Sequence, residues 1–172
     1  MKHSLRQLTR CAMLTTLALV LSYMENFFPL ALAIPLPGIK LGLANVVTLF
    51  ALYALGAPQA FAILLCRCLL GSLFAGNASA LIFSLLGGLC AMAVMCLTKR
   101  LRSLSIFGVS ISGAAAHNCG QVAAAILTLG NTAPLYYLPV LLAVSLFTGA
   151  LNGFLSALLF RALTAAGLME RL

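Results

Sequence analysis

The sequence predicts an all-α, polytopic membrane protein with six transmembrane helices, and three observations carry that reading. Of 172 residues, 63% are hydrophobic and 7% charged, where a soluble domain carries about 25% charged residues. The apolar residues fall in long runs parted by short turns, and the length holds about six spans of roughly 20 residues. The basic residues are also grouped. Lys2, Arg6 and Arg10 precede the first run, Lys99, Arg100 and Arg102 separate the fourth from the fifth, and Arg161 and Arg171 close the chain. With six spans these groups share one side, which is the positive-inside pattern with both termini cytoplasmic in a bacterial inner membrane. The formal charge of +8 therefore reports topology, and nucleic acid is excluded as a partner. The expectation is one integral membrane domain, residues 1–172.

The first span is expected over Leu8–Met24. Its basic start and the small-x-small Ala31-Leu32-Ala33 resemble a signal peptide, but the apolar run reaches Tyr23, long for such a segment, and is read as an uncleaved helix. Thr9, Ala12 and Thr16 repeat at helical spacing and give a partly small face on which another helix can approach closely. Spacing alone leaves open whether that helix belongs to this chain or to another protein. Glu25 and Asn26 end the span, and the linker Ala31–Gly42 follows with prolines and glycines that forbid a continuous helix. The linker is nonetheless apolar, so it is expected to pack across the outer mouth. Glu25 and Lys40 flank it and are the charges expected on that side; a Glu25–Lys40 pair and direct ligand contact by either both fit.

A second span over Leu41–Leu55 carries Asn45 and Thr48 and is short for a full crossing. Gly56-Ala57-Pro58 turns the chain into a third span, Gln59–Phe74, which holds Arg67. An arginine inside an apolar run faces a partner or a wet cavity. The sequence has no aspartate, and its two acidic residues are Glu25 and Glu170. Arg67 is thus left with Glu25, a polar side chain, backbone carbonyls or an anionic ligand. The fourth span, Ala78–Leu97, has Gly87-Gly88 near its centre, which permits a kink or close packing.

The fifth span, Ile106–Leu129, contains SGAAAHNCGQ (Ser112–Gln121), the stretch least suited to face lipid. At 3.6 residues per turn Gly113, His117 and Gln121 stack on one face, and polar side chains at membrane depth must face protein or water. This face is either a ligand-binding wall or a set of interhelical hydrogen bonds. Tyr136 and Tyr137 mark an interface before the sixth span, Leu138–Leu163. There Ser145, Gly149, Gly153 and Ala157 form a small stripe, with Asn152 beside it. Packing inside the bundle is the preferred reading of that stripe over dimerisation.

Several chemistries are missing. The cysteines (Cys11, Cys66, Cys68, Cys90, Cys96, Cys119) lack metal-ligand spacing and read as small apolar fillers. No P-loop, Gly-x-Ser-x-Gly elbow or His-Glu-x-x-His occurs. Without aspartate the chain lacks the carboxylate clusters that hold magnesium for diphosphate chemistry. The expectation is a protein that is not an enzyme and carries no metal or cofactor.

Glu25, PGIKLGLAN (Pro37–Asn45), Arg67 with Gly71, Gly87-Gly88 and SGAAAHNCGQ together resemble the Gx transporter family, also called heptaprenyl diphosphate synthase component I. The resemblance covers nearly the whole chain. It implies an architecture similar to the substrate-binding S components of energy-coupling factor transporters. These are six-helix proteins with an outward-opening ligand site, served by a separate membrane T subunit and two ATPases. It implies a site formed by the loop after the first span and the outer halves of later helices. It also implies docking of the T subunit around Ala12 and Thr16, where Thr16 departs from an Ala-x-x-x-Ala pattern. The expectation is a membrane subunit that binds a small solute, anionic or related to an isoprenoid or vitamin, for uptake. Arg67, His117, Asn118, Gln121 and Asn45 line the site, with Glu25 and Lys40 near its lid. The alternative is a noncatalytic component of prenyl diphosphate or quinone assembly, with an isoprenoid as the cargo or precursor it handles.

Overall fold

The computed structural model describes residues 2–25 and 42–165. They form six α-helices: α1 (Lys2–Glu25), α2 (Asn45–Ala54), α3 (Ala57–Ala75), α4 (Ala78–Thr98), α5 (Ile106–Leu129) and α6 (Leu138–Ala165), with a 3-10 turn, Ala133–Tyr137, before α6. The all-α class is as expected. Three segments are long and apolar enough to cross a membrane: α3, α4 and the continuous stretch Ala133–Ala165. The other three helices fall short for different reasons. α1 carries Arg6, Arg10 and Glu25 among its threonines, α5 carries the polar stretch 112–121, and α2 has only 10 residues.

The turns follow local chemistry. Gly56 precedes α3, and Pro58 sits in its first turn, where a missing N–H costs nothing. Gly76 ends α3 in the left-handed region at φ +60, a conformation that suits a residue without a Cβ. The next residue, Asn77, caps α4 by accepting the Ser79 N–H at 2.9 Å. The Gly76–Asn77 turn lies at one end of the bundle, its upper end, and Gly56 at the lower end.

α2 is the central element. Every residue from Asn45 to Leu52 is buried, and α3, α6, α1 and α4 all pack on it. Its Val47, Leu49 and Leu52 meet Ile63 and Leu64 of α3 and Met92 and Met95 of α4 in the main apolar core. Ten helical residues span about 15 Å, half the hydrocarbon thickness. The second predicted span is therefore a half-length helix that begins inside the bundle. Its lower end is sealed by Lys99, whose Nζ donates to the Leu52 carbonyl at 2.7 Å and lies 4.6 Å from the centre of the Tyr53 ring. A cation at a helix C-terminus satisfies an orphan carbonyl and complements the helix dipole.

α5 packs most extensively, between α4 and α6. Glycines set the distance. A methyl placed on Gly120 would lie 2.6 Å from the Leu86 carbonyl oxygen, and one on Gly149 would lie 2.5 Å from the Ile111 Cα. The stripe on α6 thus packs inside the bundle against α5, and Ser110 reinforces the seam by donating to the Gly149 carbonyl at 2.7 Å.

Candidate functional site

The polar residues singled out in the sequence converge where α2 begins. Arg67, on the buried face of α3, is 7% exposed and donates from its Nη2 to the Asn45 Oδ1 at 2.9 Å. Of the partners the sequence left open to it, a polar side chain from the neighbouring helix is one it takes. Gly42, just before α2, is held from two sides. Glu25 at the end of α1 accepts its N–H, and the Nδ2 of Asn152 in α6 donates to its carbonyl at 3.2 Å. Gly42 lies at φ +81, so a side chain there would be strained by the backbone and also crowded. A methyl on it would meet the Asn45 Nδ2 at 2.9 Å and the His117 imidazole at 3.4 Å.

His117 lies between Gly42 and Gly87. A methyl on Gly87 would be 2.8 Å from the His117 Cε1 and 3.1 Å from the Gln121 Cγ. The neighbouring Gly88 leaves the same kind of room for Leu64 of α3, whose Cδ1 would be 2.6 Å from a methyl there, with the Arg67 Nη2 in ordinary contact at 3.5 Å. The Gly87-Gly88 pair therefore opens a slot in α4 that receives His117 of α5 and Leu64 of α3, with the Arg67 guanidinium alongside.

Asn45, Arg67, His117, Gln121 and Glu25 are thus brought to one centre, and all are buried. Asn118 is not turned the same way. One residue along a helix is a rotation of about 100°, and its Nδ2 donates to the Leu141 carbonyl of α6 at 2.8 Å, tying the upper part of the α5–α6 seam. Lys40, the linker up to Leu41 and the proposed Glu25–Lys40 pair lie outside the described residues. Ala12 and Thr16 are exposed, while the buried side of α1 is formed by Thr15, Ala18 and Glu25. The Thr16 hydroxyl donates to the Ala12 carbonyl of its own helix at 3.0 Å, so the face it presents is small and largely apolar.

The centre is not fully satisfied internally. The Asn45 Nδ2, Arg67 Nε, Gln121 Oε1 and Asn152 Oδ1 are buried with no hydrogen-bond partner among the described residues. Buried polar atoms are nearly always paired with protein or water, so such a cluster marks a place where something polar is handled. Arg67 also reaches a cleft of about 180 Å³ at the upper end, walled by Leu19, Ser22 and Tyr23 of α1, Gly71, Ser72, Phe74 and Ala75 of α3, and Ala80 and Ser84 of α4. Among the described residues no group of three or more His, Cys, Asp or Glu side chains is placed to hold a metal.

Sequence reasoning missed two parts of this arrangement. Asn152 was noted only as a neighbour of the small stripe, although an amide in an apolar helix is itself a signal that a polar partner waits at that depth. The cleft residues Ser22, Tyr23, Ser72 and Ser84 gave no signal, because single hydroxyls are common in membrane helices and bond back to their own backbone.

No curated protein and no solved structure matches the chain. The family model described as heptaprenyl diphosphate synthase component I matches residues 14–159. That range takes in Glu25, Gly42, Asn45, Arg67, the Gly87-Gly88 slot, His117, Gln121 and Asn152, that is, the whole polar centre. The chain belongs to the heptaprenyl diphosphate synthase component I family.

Proposed function

We propose that this chain is a membrane-embedded binding subunit. It captures a small solute in the cleft at its upper end, with that end facing outward and both termini in the cytoplasm. In this reading all six helices lie in the membrane, α1 and α5 because protein partners shelter their polar residues and α2 as a half-crossing. Arg67 carries the reading. A buried guanidinium that lines a cleft, with an Nε that has no partner among the described residues, is placed to meet an incoming acceptor. The Asn45 amide orients it, and His117 and Gln121 lie behind it. The chain is not a catalyst in this reading, since it lacks the aspartates that prenyl transfer with magnesium requires.

Uptake would then need partners that supply energy. The exposed face around Ala12 and Thr16 is the candidate dock for a T-type membrane subunit with its ATPases. The self-bonded Thr16 hydroxyl supports this, because it makes threonine an adequate substitute for the expected alanine.

A second reading follows from the family description, which names a synthase component. It is a noncatalytic membrane component of prenyl diphosphate or quinone assembly, and the internally bonded part of the centre (Arg67 with Asn45, Glu25 and Asn152 with Gly42) favours it. Native mass spectrometry of the gently purified protein, beside Arg67→Ala, separates the two. The binding subunit should carry a small molecule that the variant lacks. A protein that arrives empty in both forms, yet pulls down a prenyl synthase subunit, would establish the second reading.

A further inference from the structure

We infer that the ligand of the α1–α3–α4 cleft is a singly charged amphiphile, a carboxylic acid with a compact apolar body whose head meets Arg67. The inference rests on the binding-subunit reading above and adds the substrate class.

The cleft lining has a division of chemistry. Arg67 at its floor is the one charged residue among the described lining residues. Gly71 stands one turn above it, Ser22, Ser72, Ser84 and Tyr23 contribute hydroxyls, and Leu19, Phe74, Ala75 and Ala80 supply apolar wall. The Ser72 hydroxyl already donates to the Leu69 carbonyl at 2.8 Å, which leaves it able only to accept. A wall of apolar groups interspersed with hydroxyls, with one cation at the bottom, suits a molecule with a largely apolar body and a negative end.

Charge magnitude narrows the head. The Glu25 carboxylate accepts the Gly42 N–H and does not line the cleft. A ligand in the cleft therefore meets one charge among the described lining residues, the Arg67 guanidinium. One negative charge matches it. A diphosphate brings two or three, and is normally held by several cations or by magnesium on carboxylates; neither lines the cleft among the described residues. Arginine and carboxylate also share the planar two-pronged geometry that makes their pairing favourable.

Size and placement narrow the body. About 180 Å³ equals roughly six water volumes of ~30 Å³ each, enough for the head and a short apolar segment. A longer tail must leave the cleft at its lip. There Phe74 is 80% exposed and Tyr23 is exposed beside it. α1 and α4 both pack on α3 without packing substantially on each other, so the gap between them leads outward over α3. In a membrane such a lip faces lipid, and an amphiphile leaves its tail there at little cost.

The test uses the full chain in zwitterionic lipid nanodiscs and three probes that share one tail: octanoate, octan-1-ol and octyl diphosphate. Thermal unfolding is recorded for the wild type, Arg67→Gln and Gly71→Leu, the last of which fills the cleft while leaving Arg67 in place. At a hundredfold excess over Kd, octanoate should raise the wild-type Tm by at least about 5 °C. Octanol and octyl diphosphate should shift it little, and both variants should lose the octanoate shift. Arg67→Lys, which keeps the charge but not the fork, should retain part of it and serves if Arg67→Gln does not fold. Equal or greater stabilisation by octyl diphosphate, lost in Arg67→Gln, would overturn the substrate class and leave the binding-subunit reading standing. An octanoate shift unchanged in Gly71→Leu would overturn the location. No shift with any probe overturns the inference, and the Arg67-dependent adduct in native mass spectrometry then decides the broader reading by itself.

Discussion

The two sides of the bundle handle close approach in opposite ways. Where α5 meets α4 and α6, glycines bring backbones into contact: Gly120 sits on the Leu86 carbonyl, Gly149 on Ile111 and Gly153 on Phe107. Side-chain hydrogen bonds cross that region, from Ser110 to Gly149 and from Asn118 to Leu141. Where α3 meets α1, Gly71 leaves space instead, since a methyl there would stand 3.6 Å from the Leu19 Cδ2 in ordinary contact. The same residue type seals one seam and opens the other. What decides is the neighbour: a backbone segment in the first case, the end of a flexible side chain in the second. A bundle built this way has a closely packed half and a more open half, and in the proposed binding subunit the open half is the side from which a ligand would reach Arg67.

The comparison can be broken most severely at Gly120. Gly120→Ala places a methyl against backbone that cannot move without parting α4 from α5, and a loss of about 1–3 kcal/mol is expected from overpacking. Measured by thermal or denaturant unfolding in detergent, an unchanged stability would refute the rigid seam. Next in size is Asn45→Ala. It strips the guanidinium of its amide acceptor, and hydrogen bonds to charged groups contribute about 1.5–3 kcal/mol. The same variant should weaken ligand retention, which a purely structural pair would not do. Ser110→Ala removes a buried hydrogen bond at the α5–α6 seam and should cost about 1 kcal/mol while leaving retention intact.

The sharpest contrast is Gly71→Ala. Replacing glycine inside a helix, where the methyl meets only ordinary contact, should stabilise by roughly 0.5–1 kcal/mol. Gain at Gly71 and loss at Gly120 from an identical substitution would confirm the difference between the seams. The smallest effect is expected on the exposed face of α1: Ala12→Leu should change the stability of the isolated chain by less than about 0.5 kcal/mol. If α1 docks a T-type subunit, the same change should abolish co-purification with it; undiminished co-purification would remove Ala12 and Thr16 from the dock.

Much of this was legible before any coordinates. The apolar runs and grouped basic residues determined a helical membrane protein, because the composition a bilayer tolerates is a property of each segment by itself. The repeat of Gly113, His117 and Gln121 determined a shared face on α5, because helical periodicity is local. Arg67 had to find a partner, because a charge at that depth cannot stand alone. The tertiary structure decided the rest. It chose Asn45, 22 residues away, as an acceptor for Arg67, and it turned Asn118 to α6 and away from the centre. It started α2 inside the bundle beside Gly42, and it left the gap over α3 between α1 and α4. Each of these depends on how far one helix is rotated and raised against another. Periodicity fixes which residues share a face, but the side-chain volumes and glycine contacts between helices fix what that face meets.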